Sequence, residues 1–368
     1  MKVDLNSLNN SDPLSHRGEP TALFDLSFVK NAVVDLKLKP ENKVILVRGT
    51  NGKTSTCFFL DSIIRRNKLS SICFTSPHMH TPNERILLNG VNLAMKDFFH
   101  YEKKISRYEK RKCKRKFTYF EAVFLICLFA NIKNKPDYLI LEAGLGGPKD
   151  ATAAVSFDLL VLTSIGLDHQ LFLGETKEQI LMSKMSDIQD VETITLIENK
   201  KYAYLNSKNI RYIENYHSDP DFLSKNKNLA EGVARHLGLE VKKINTTVSG
   251  RFQILRKKPL LVLDGAHNPE GLRYLHKYIK KFEIKKALIG MRNGKLKDCR
   301  CAIDEFGFEK IAWCNLPKPW QSDVPLGHWS HLKTDSEILE WILADEDCIV
   351  FGSLYLASKI LKMLKVKN

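Results

Sequence analysis

The stretch VILVRGTNGKTSTCFFLDSII, from Val44 to Ile64, constrains this chain more than any other. A β-branched apolar run, Val44 to Val47, breaks into Gly49-Thr50-Asn51-Gly52-Lys53-Thr54-Ser55 and then into a helical pattern. Strand, glycine loop and helix in that order make a cradle for a polyphosphate. The glycines let backbone N–H groups turn inward, and Lys53 offers a mobile ammonium to the outer oxygens. Thr54 and Ser55 place hydroxyls where a phosphate-bound Mg²⁺ sits. Val47 stands where the first glycine of the full phosphate-loop pattern belongs, so this shortened form is less specific on its own.

At 368 residues the chain is long enough for two domains with real cores, and its 43% apolar and 27% charged residues are globular values. The longest apolar run, Ala122 to Ala130, falls well short of the roughly eighteen residues that cross a bilayer, which argues against a membrane partner. The opening MKVDLNSLNNSDPLSHRGEP lacks the apolar segment of a secretory signal, so the expected compartment is the cytosol. The eight cysteines form no disulfide framework; Cys299 and Cys301 are spaced C-x-C with no second pair to complete a zinc site. Net charge is +15, and much of the excess lies between Lys103 and Lys116. That run contains one tyrosine and no recognisable nucleic-acid module. It reads as a solvated helix face, or as attraction for an anionic substrate, rather than as a nucleic-acid surface.

The rest of the chain alternates strand and helix. A weak helical pattern covers Ala22 to Leu38, and the helix after the glycine loop runs from Lys53 to about Asn67. Ser71 to Thr75 reads as a buried strand, and Asn89-Gly90 between apolar runs predicts a hairpin, because both residues tolerate positive φ. Helices are expected over Met95 to Arg111 and Tyr119 to Ile132, the second opened by Thr118 with Glu121 at capping-box spacing. Tyr138 to Glu142, Leu159 to Thr163 and Thr193 to Ile197 read as strands, with helices over Glu178 to Asp187 and Leu223 to Leu237. The polar, β-branched segment Val241 to Ser249 marks a domain boundary. Beyond it, Leu260 to Leu263, Lys286 to Ile289, Ile311 to Trp313 and Cys348 to Phe351 are expected strands, with helices over Gly271 to Lys280 and Leu354 to Leu364. This alternation predicts two α/β domains with mainly parallel sheets.

Four further clusters fall at strand ends, where α/β folds place ligands. They are Thr75-Ser76-Pro77-His78, Leu141 to Gly147, Thr163 to His169, and Leu263 to Pro269 with Gly250-Arg251 upstream. A carboxylate such as Glu142, directly after an apolar strand, is costly unless paired, so a metal or cation partner is the sharper reading. His169 alone reads as an ordinary loop histidine. Beside Glu142 and a phosphate loop it becomes a candidate Mg²⁺ ligand or a neighbour of one. Arg251 and Asp264 suit a nucleotide's phosphate and ribose hydroxyls.

Taken in order, GTNGKTS, FTSPH, NERI, TYFE, LEAGLGG, DAT, TSIGLDH, FLGET, GRF, LDGAHNP and GSLY run from about Val44 to Tyr355. The set resembles the folylpolyglutamate synthase/dihydrofolate synthase branch of the Mur ligases. The resemblance implies a P-loop Mur-ligase-like domain with a mainly parallel sheet, residues 1–243, and a smaller Rossmann-like α/β domain, residues 244–368. It also implies an ATP-dependent amide ligase of folate and one-carbon metabolism. L-glutamate would be joined to dihydropteroate, and also to reduced folates, through an acyl phosphate.

The resemblance places ATP on Thr50, Asn51, Gly52, Lys53, Thr54 and Ser55, with Asn228, Arg251 and Asp264 as further nucleotide contacts. Two Mg²⁺ sites would draw on Ser76, Glu142, His169 and Lys184. Lys184 stands where the branch carries a lysine converted by CO₂ to a carbamate, and Lys53, Lys184 and His169 would act in the reaction. Thr118, Tyr119, Phe120, Glu121, Lys149, Asp150 and Ala151 match the site of the pterin-bearing substrate. A monomer acting on small molecules, without nucleic acid, is implied.

The chain also departs from the branch. GKTS replaces the usual GKGS, which gives Thr54 a claim on the metal position otherwise filled by Ser76. Pro148-Lys149, Ala153, Ser224-Lys225 and Arg292 to Lys295 also depart from the usual residues. A Mur-type ligase on another acid, and a non-catalytic nucleotide- or nucleic-acid-binding relative, stay open at this point.

Overall fold

A computed structural model describes residues 14, 17 and 25–365, apart from 114, 189, 208, 215–221, 243–245, 318–321 and 326. The expected boundary between residues 243 and 244, and the start of the helix expected from Ala22, lie outside the described residues. The elements follow in order: α1 (Ser27–Asp35), β1 (Lys43–Arg48), α2 (Lys53–Arg66), β2 (Ser71–Phe74), β3 (Ile86–Leu88), β4 (Val91–Asn92), α3 (Met95–Lys112), α4 (Tyr119–Asn134) and β5 (Tyr138–Glu142). Then come β6 (Leu159–Leu162), α5 (Gln170–Leu173), α6 (Lys177–Met185), β7 (Thr193–Leu196), β8 (Ile210–Ile213) and α7 (Phe222–His236). The chain continues through β9 (Gln253–Lys257), β10 (Leu260–Leu263), α8 (Pro269–Ile279), β11 (Lys286–Ile289) and α9 (Lys295–Asp304). It finishes with β12 (Lys310–Cys314), β13 (Ser330–Leu332), α10 (Asp335–Leu343), β14 (Cys348–Phe351) and α11 (Leu354–Met363). Two compact units result, one carrying β1 to β8 and the other β9 to β14.

In the larger unit the sheet order is β4-β3-β2-β5-β1-β6-β7-β8. Strands β2, β5, β1, β6, β7 and β8 run parallel, and the Asn89-Gly90 hairpin adds β3 and β4 antiparallel at one edge. Strands β1, β2, β5 and β6 are almost wholly buried apolar runs, as parallel strands covered on both faces must be. Helix α4 is apolar almost all round, with every residue from Ala122 to Leu128 buried, so it lies within the core rather than on it. Its N-terminus carries the expected capping box: Thr118 Oγ1 accepts from Glu121 N, and Thr118 N donates to the Glu121 carboxylate.

Register sets the site. Val47 pairs with Glu142, Arg48 with Leu162 and Phe74 with Leu141, so β1, β2, β5 and β6 end at one level. The glycine loop, Ser76, Glu142 and Thr163 all emerge there, at the carboxyl ends where such sheets bind ligands.

The basic run forms α3 and the segment after it. Phe98, Tyr101, Ile105 and Tyr108 are its buried stripe, and Lys103, Arg107 and Lys110 face outward. Glu109 is buried and pairs with Arg17. In the second unit the order is β13-β12-β11-β14-β10-β9, parallel except for β9. Among the described residues no helix is long and apolar enough to cross a membrane.

Candidate functional site

The glycine loop turns where only glycine fits. Gly49 has φ +143°, and a β-carbon there would lie 1.9 Å from Thr163 Oγ1. Gly52 has φ +93°, and its β-carbon would lie 2.2 Å from Asn226 Oδ1. The loop is tied down by Thr50 N, which donates to Ser164 O at 2.8 Å. Lys53 opens α2, and its Nζ donates to Gly49 O (3.1 Å) and Thr50 O (3.0 Å), so the ammonium lies folded over the loop. The first turn of α2 contributes helix N–H groups and their partial positive charge. Asn226 was not foreseen from sequence. Its Nδ2, with those of Asn228 and the hydroxyls of Ser55 and Thr56, is buried with no partner among the described residues. Of these, the Asn226 amide stands beside Gly52 of the loop, and an unpaired buried donor there fits an acceptor-rich ligand such as a nucleotide polyphosphate.

Gly52→Ala therefore meets both a left-handed backbone and the Asn226 amide. The backbone cost alone is roughly 1–2 kcal/mol. An ATP titration of the purified variant should show at least a tenfold weaker midpoint, a factor worth about 1.4 kcal/mol. An unchanged midpoint would mean that the loop does not carry the nucleotide.

Next to the loop, Thr54 Oγ1 donates to Glu142 Oε1 at 2.8 Å and Ser76 N donates to Glu142 Oε2 at 2.9 Å. Glu142 is 2% exposed. Thr54, Ser76 and Glu142 are thus brought together, Ser76 through its backbone amide and Thr54 through its side chain. Hydroxyl and carboxylate oxygens are the hard donors that Mg²⁺ takes. Among the described residues no group of three or more His, Cys, Asp and Glu could hold a metal ion. A Mg²⁺ here would have to rely on this mixed set.

Lys184 sits on α6, 2% exposed, with its Nζ donating to Leu145 O at 2.6 Å. As an ammonium it is a donor and no metal ligand; only a carbamate would make it an oxygen ligand. His169 takes φ +52° just before α5 and lines a cavity of about 260 Å³.

That cavity assembles most of the residues expected at the substrate. Thr118, Phe120, Glu121, Lys149, Asp150 and Ala151 line it together with Gly144, Leu145, His169 and Phe172. Tyr119 is not in the lining: its ring stacks with His78 at 6.0 Å and lies under the Arg85 guanidinium at 4.7 Å. Both lining carboxylates have internal work. Glu121 receives both arms of Arg115, at 2.8 and 2.9 Å. Asp150 accepts from Leu145 N, Gly146 N, Thr152 N and Thr152 Oγ1, so it holds the glycine-rich turn in shape. Lys149 is exposed at the cavity.

In the second unit, Asp264 follows β10 and accepts from Phe252 N (2.8 Å) and Ala266 N (2.7 Å). Burial pushes its carboxyl above the ordinary range, while the nearby Arg251 pulls the other way. Arg251 Nη1 lies 2.9 Å from where a Gly265 β-carbon would be, so the GRF and LDGAHNP segments meet. His267 Nδ1 is 2.8 Å from Gly265 O, and burial pushes the ring below its usual pKa, favouring neutral imidazole.

A glycine loop, a buried carboxylate and a lined cavity at the carboxyl ends of parallel strands define an α/β nucleotide-binding enzyme. The Mur ligase middle domain matches residues 47–255. The dihydrofolate synthase/folylpolyglutamate synthase of Escherichia coli K12 is 31% identical over 382 aligned positions, covering 90% of this chain and 89% of that protein. Among solved structures, E. coli FolC in complex with DHPP and ADP superposes with a TM-score of 0.83, at 24% identity, over 96% of each chain. A bifunctional folylpolyglutamate synthase/dihydrofolate synthase with Mn, AMPPNP and L-glutamate bound gives 0.81 at 24% identity, over 96% and 97%. The chain belongs to the Mur ligase family, in its dihydrofolate synthase/folylpolyglutamate synthase branch.

Proposed function

We propose that this protein joins the amine of L-glutamate to the carboxylate of dihydropteroate, and of reduced folates, with ATP as the driving substrate. One observation carries the reading beyond family membership. The turn that begins at Glu142, beside the glycine loop, continues two residues later into Gly144 and Leu145 of the 260 Å³ cavity. A carboxylate held in that cavity would then lie along the same turn as the phosphate-binding end of the sheet.

In this reading the carboxylate oxygen attacks the γ-phosphorus, ADP leaves, and an acyl phosphate forms. The glutamate amine then attacks the acyl carbon, phosphate departs, and the amine gives up its proton. No protein nucleophile is needed; the problem is to orient reactants and offset negative charge. Thr50 to Ser55 supply amides, hydroxyls and the Lys53 ammonium, and Asn228, Arg251 and Asp264 serve as further nucleotide contacts. Thr54, Ser76 and Glu142 would hold one Mg²⁺, and His169 with a carbamate on Lys184 a second; bound there, the metals offset phosphate charge. Thr118 to Glu121 and Lys149 to Ala151 would shape the pterin site, Asp150 through the turn it braces.

The same reading takes residues 1–243 and 244–368 as the two domains of a cytosolic monomer that acts on small molecules. The outward basic face of α3 then needs no nucleic acid.

Phosphate release from ATP by the purified protein tests the reading. With L-glutamate present, dihydropteroate or tetrahydrofolate should each stimulate release, and a UDP-muramyl acid should not. No stimulation by either pterin would sink it.

A further inference from the structure

We infer that Arg48, acting through Asp187, is a positioning residue that fixes the Lys184 helix against the strand carrying the phosphate loop. This rests on the reading of Lys184 as a group of the reacting site. Arg48 is the last residue of β1, and its side chain is fully buried. Its Nη1 donates to Lys184 O at 2.7 Å and to Asp187 Oδ1 at 2.6 Å, and its Nη2 donates to Asp187 Oδ2 at 2.8 Å. Its backbone oxygen meanwhile accepts from Thr163 N at 2.8 Å and Thr163 Oγ1 at 3.2 Å. One residue thus ties β1 to the turn after β6 with its main chain, and to the end of α6 with its side chain.

The chemistry suits positioning more than bulk stability. Lys184 O is among the last carbonyls of α6, which have no partner inside the helix, and a cation there also meets the negative end of the helix dipole. Helix α6 has only nine residues, too few to hold its own geometry without tertiary contacts. An ion pair with one exposed partner adds little stability: Arg48 is buried but Asp187 is exposed, and Arg48 Nε is buried with no partner among the described residues. What the planar fork adds is direction, since two parallel bonds to one carboxylate set both angle and distance. The group so directed is Lys184, whose Nζ reaches Leu145 O at the cavity.

The test uses the full chain as wild type, Arg48→Met, Arg48→Lys, Asp187→Asn and the Arg48→Met/Asp187→Asn double variant. Arg48→Lys and Asp187→Asn keep the question open to test should Arg48→Met fold poorly. Native reductive methylation, read by mass spectrometry, reports the accessibility of the Lys184 amine without any turnover. It should rise about fivefold or more in Arg48→Met and Asp187→Asn, with Arg48→Lys between them and wild type. In kinetics kcat should fall about tenfold, the lower end for an outer partner of a site group, with KM for ATP within about twofold. The double variant should be no worse than the worse single one.

Unchanged Lys184 labelling, or faster labelling with unchanged kcat, would overturn the inference even if the variants melt earlier. Should wild type release no phosphate with any pterin, the proposed function fails. The labelling result still decides whether Arg48 directs Lys184.

Discussion

Lys53→Ala is expected to lower pterin-dependent phosphate release by roughly 10²–10³-fold, the usual loss when one donor aimed at developing charge is removed. The ammonium rests on Gly49 O and Thr50 O, within the loop itself. Phosphate oxygens are stronger acceptors than these carbonyls, so a bound polyphosphate can draw the ammonium outward with no rearrangement of α2. The side chain is only partly buried and its bonds are local, so thermal melting should change little. Lys53→Arg should be nearly as inactive, because a planar fork cannot take the place of a compact charge above a tight loop. Turnover within tenfold of wild type would show that the loop has been assigned wrongly.

Lys184→Ala is expected to cost about 10²-fold, by the same electrostatic logic. Two roles have to be separated, because the ammonium also donates to Leu145 O at the cavity wall. Lys184→Arg keeps a donor for that carbonyl and cannot form a carbamate. If the carbamate matters, the arginine variant should be as slow as the alanine one. Small carboxylic acids should then partly restore Lys184→Ala by supplying the missing anionic oxygens. An active arginine variant would reduce Lys184 to a brace for the turn, and wild-type rates in both would reject the role altogether.

Much of the fold was legible where local signals were strong. Tyr138 to Glu142 is an apolar run closed by one carboxylate before a turn, and it forms with those limits. Asn89-Gly90 makes its hairpin, and both residues have positive φ. The Thr118 and Glu121 spacing forms a capping box. What escaped was short, half-exposed or dependent on distant partners. Strands β8, β9 and β13 sit at sheet edges or are only partly buried, so their sequences lack the apolar run that marks a central strand. Helix α9 is highly charged, and its first turn is fastened by Asp323, which accepts from Gly294 N and Leu296 N. No periodicity within the helix reports a partner so far along the chain.

The candidate site shows the same division. Thr54, Glu142 and the cavity residues stand in motifs. Asn226 beside Gly52, and Arg48 with Asp187, are single polar residues whose partners lie 139 positions or more away. Their meaning comes from tertiary packing alone. Asp150 is a related case: its motif position suggested substrate, while its four hydrogen bonds brace the turn from Leu145 to Thr152.

The most direct measurement follows oxygen. Dihydropteroate labelled with ¹⁸O in its carboxylate is turned over with ATP and L-glutamate, and the products are read by mass spectrometry. Attack of the carboxylate on the γ-phosphorus puts one labelled oxygen into inorganic phosphate and leaves the other in the new amide. Label in AMP, or phosphate without label, would contradict the proposed reaction.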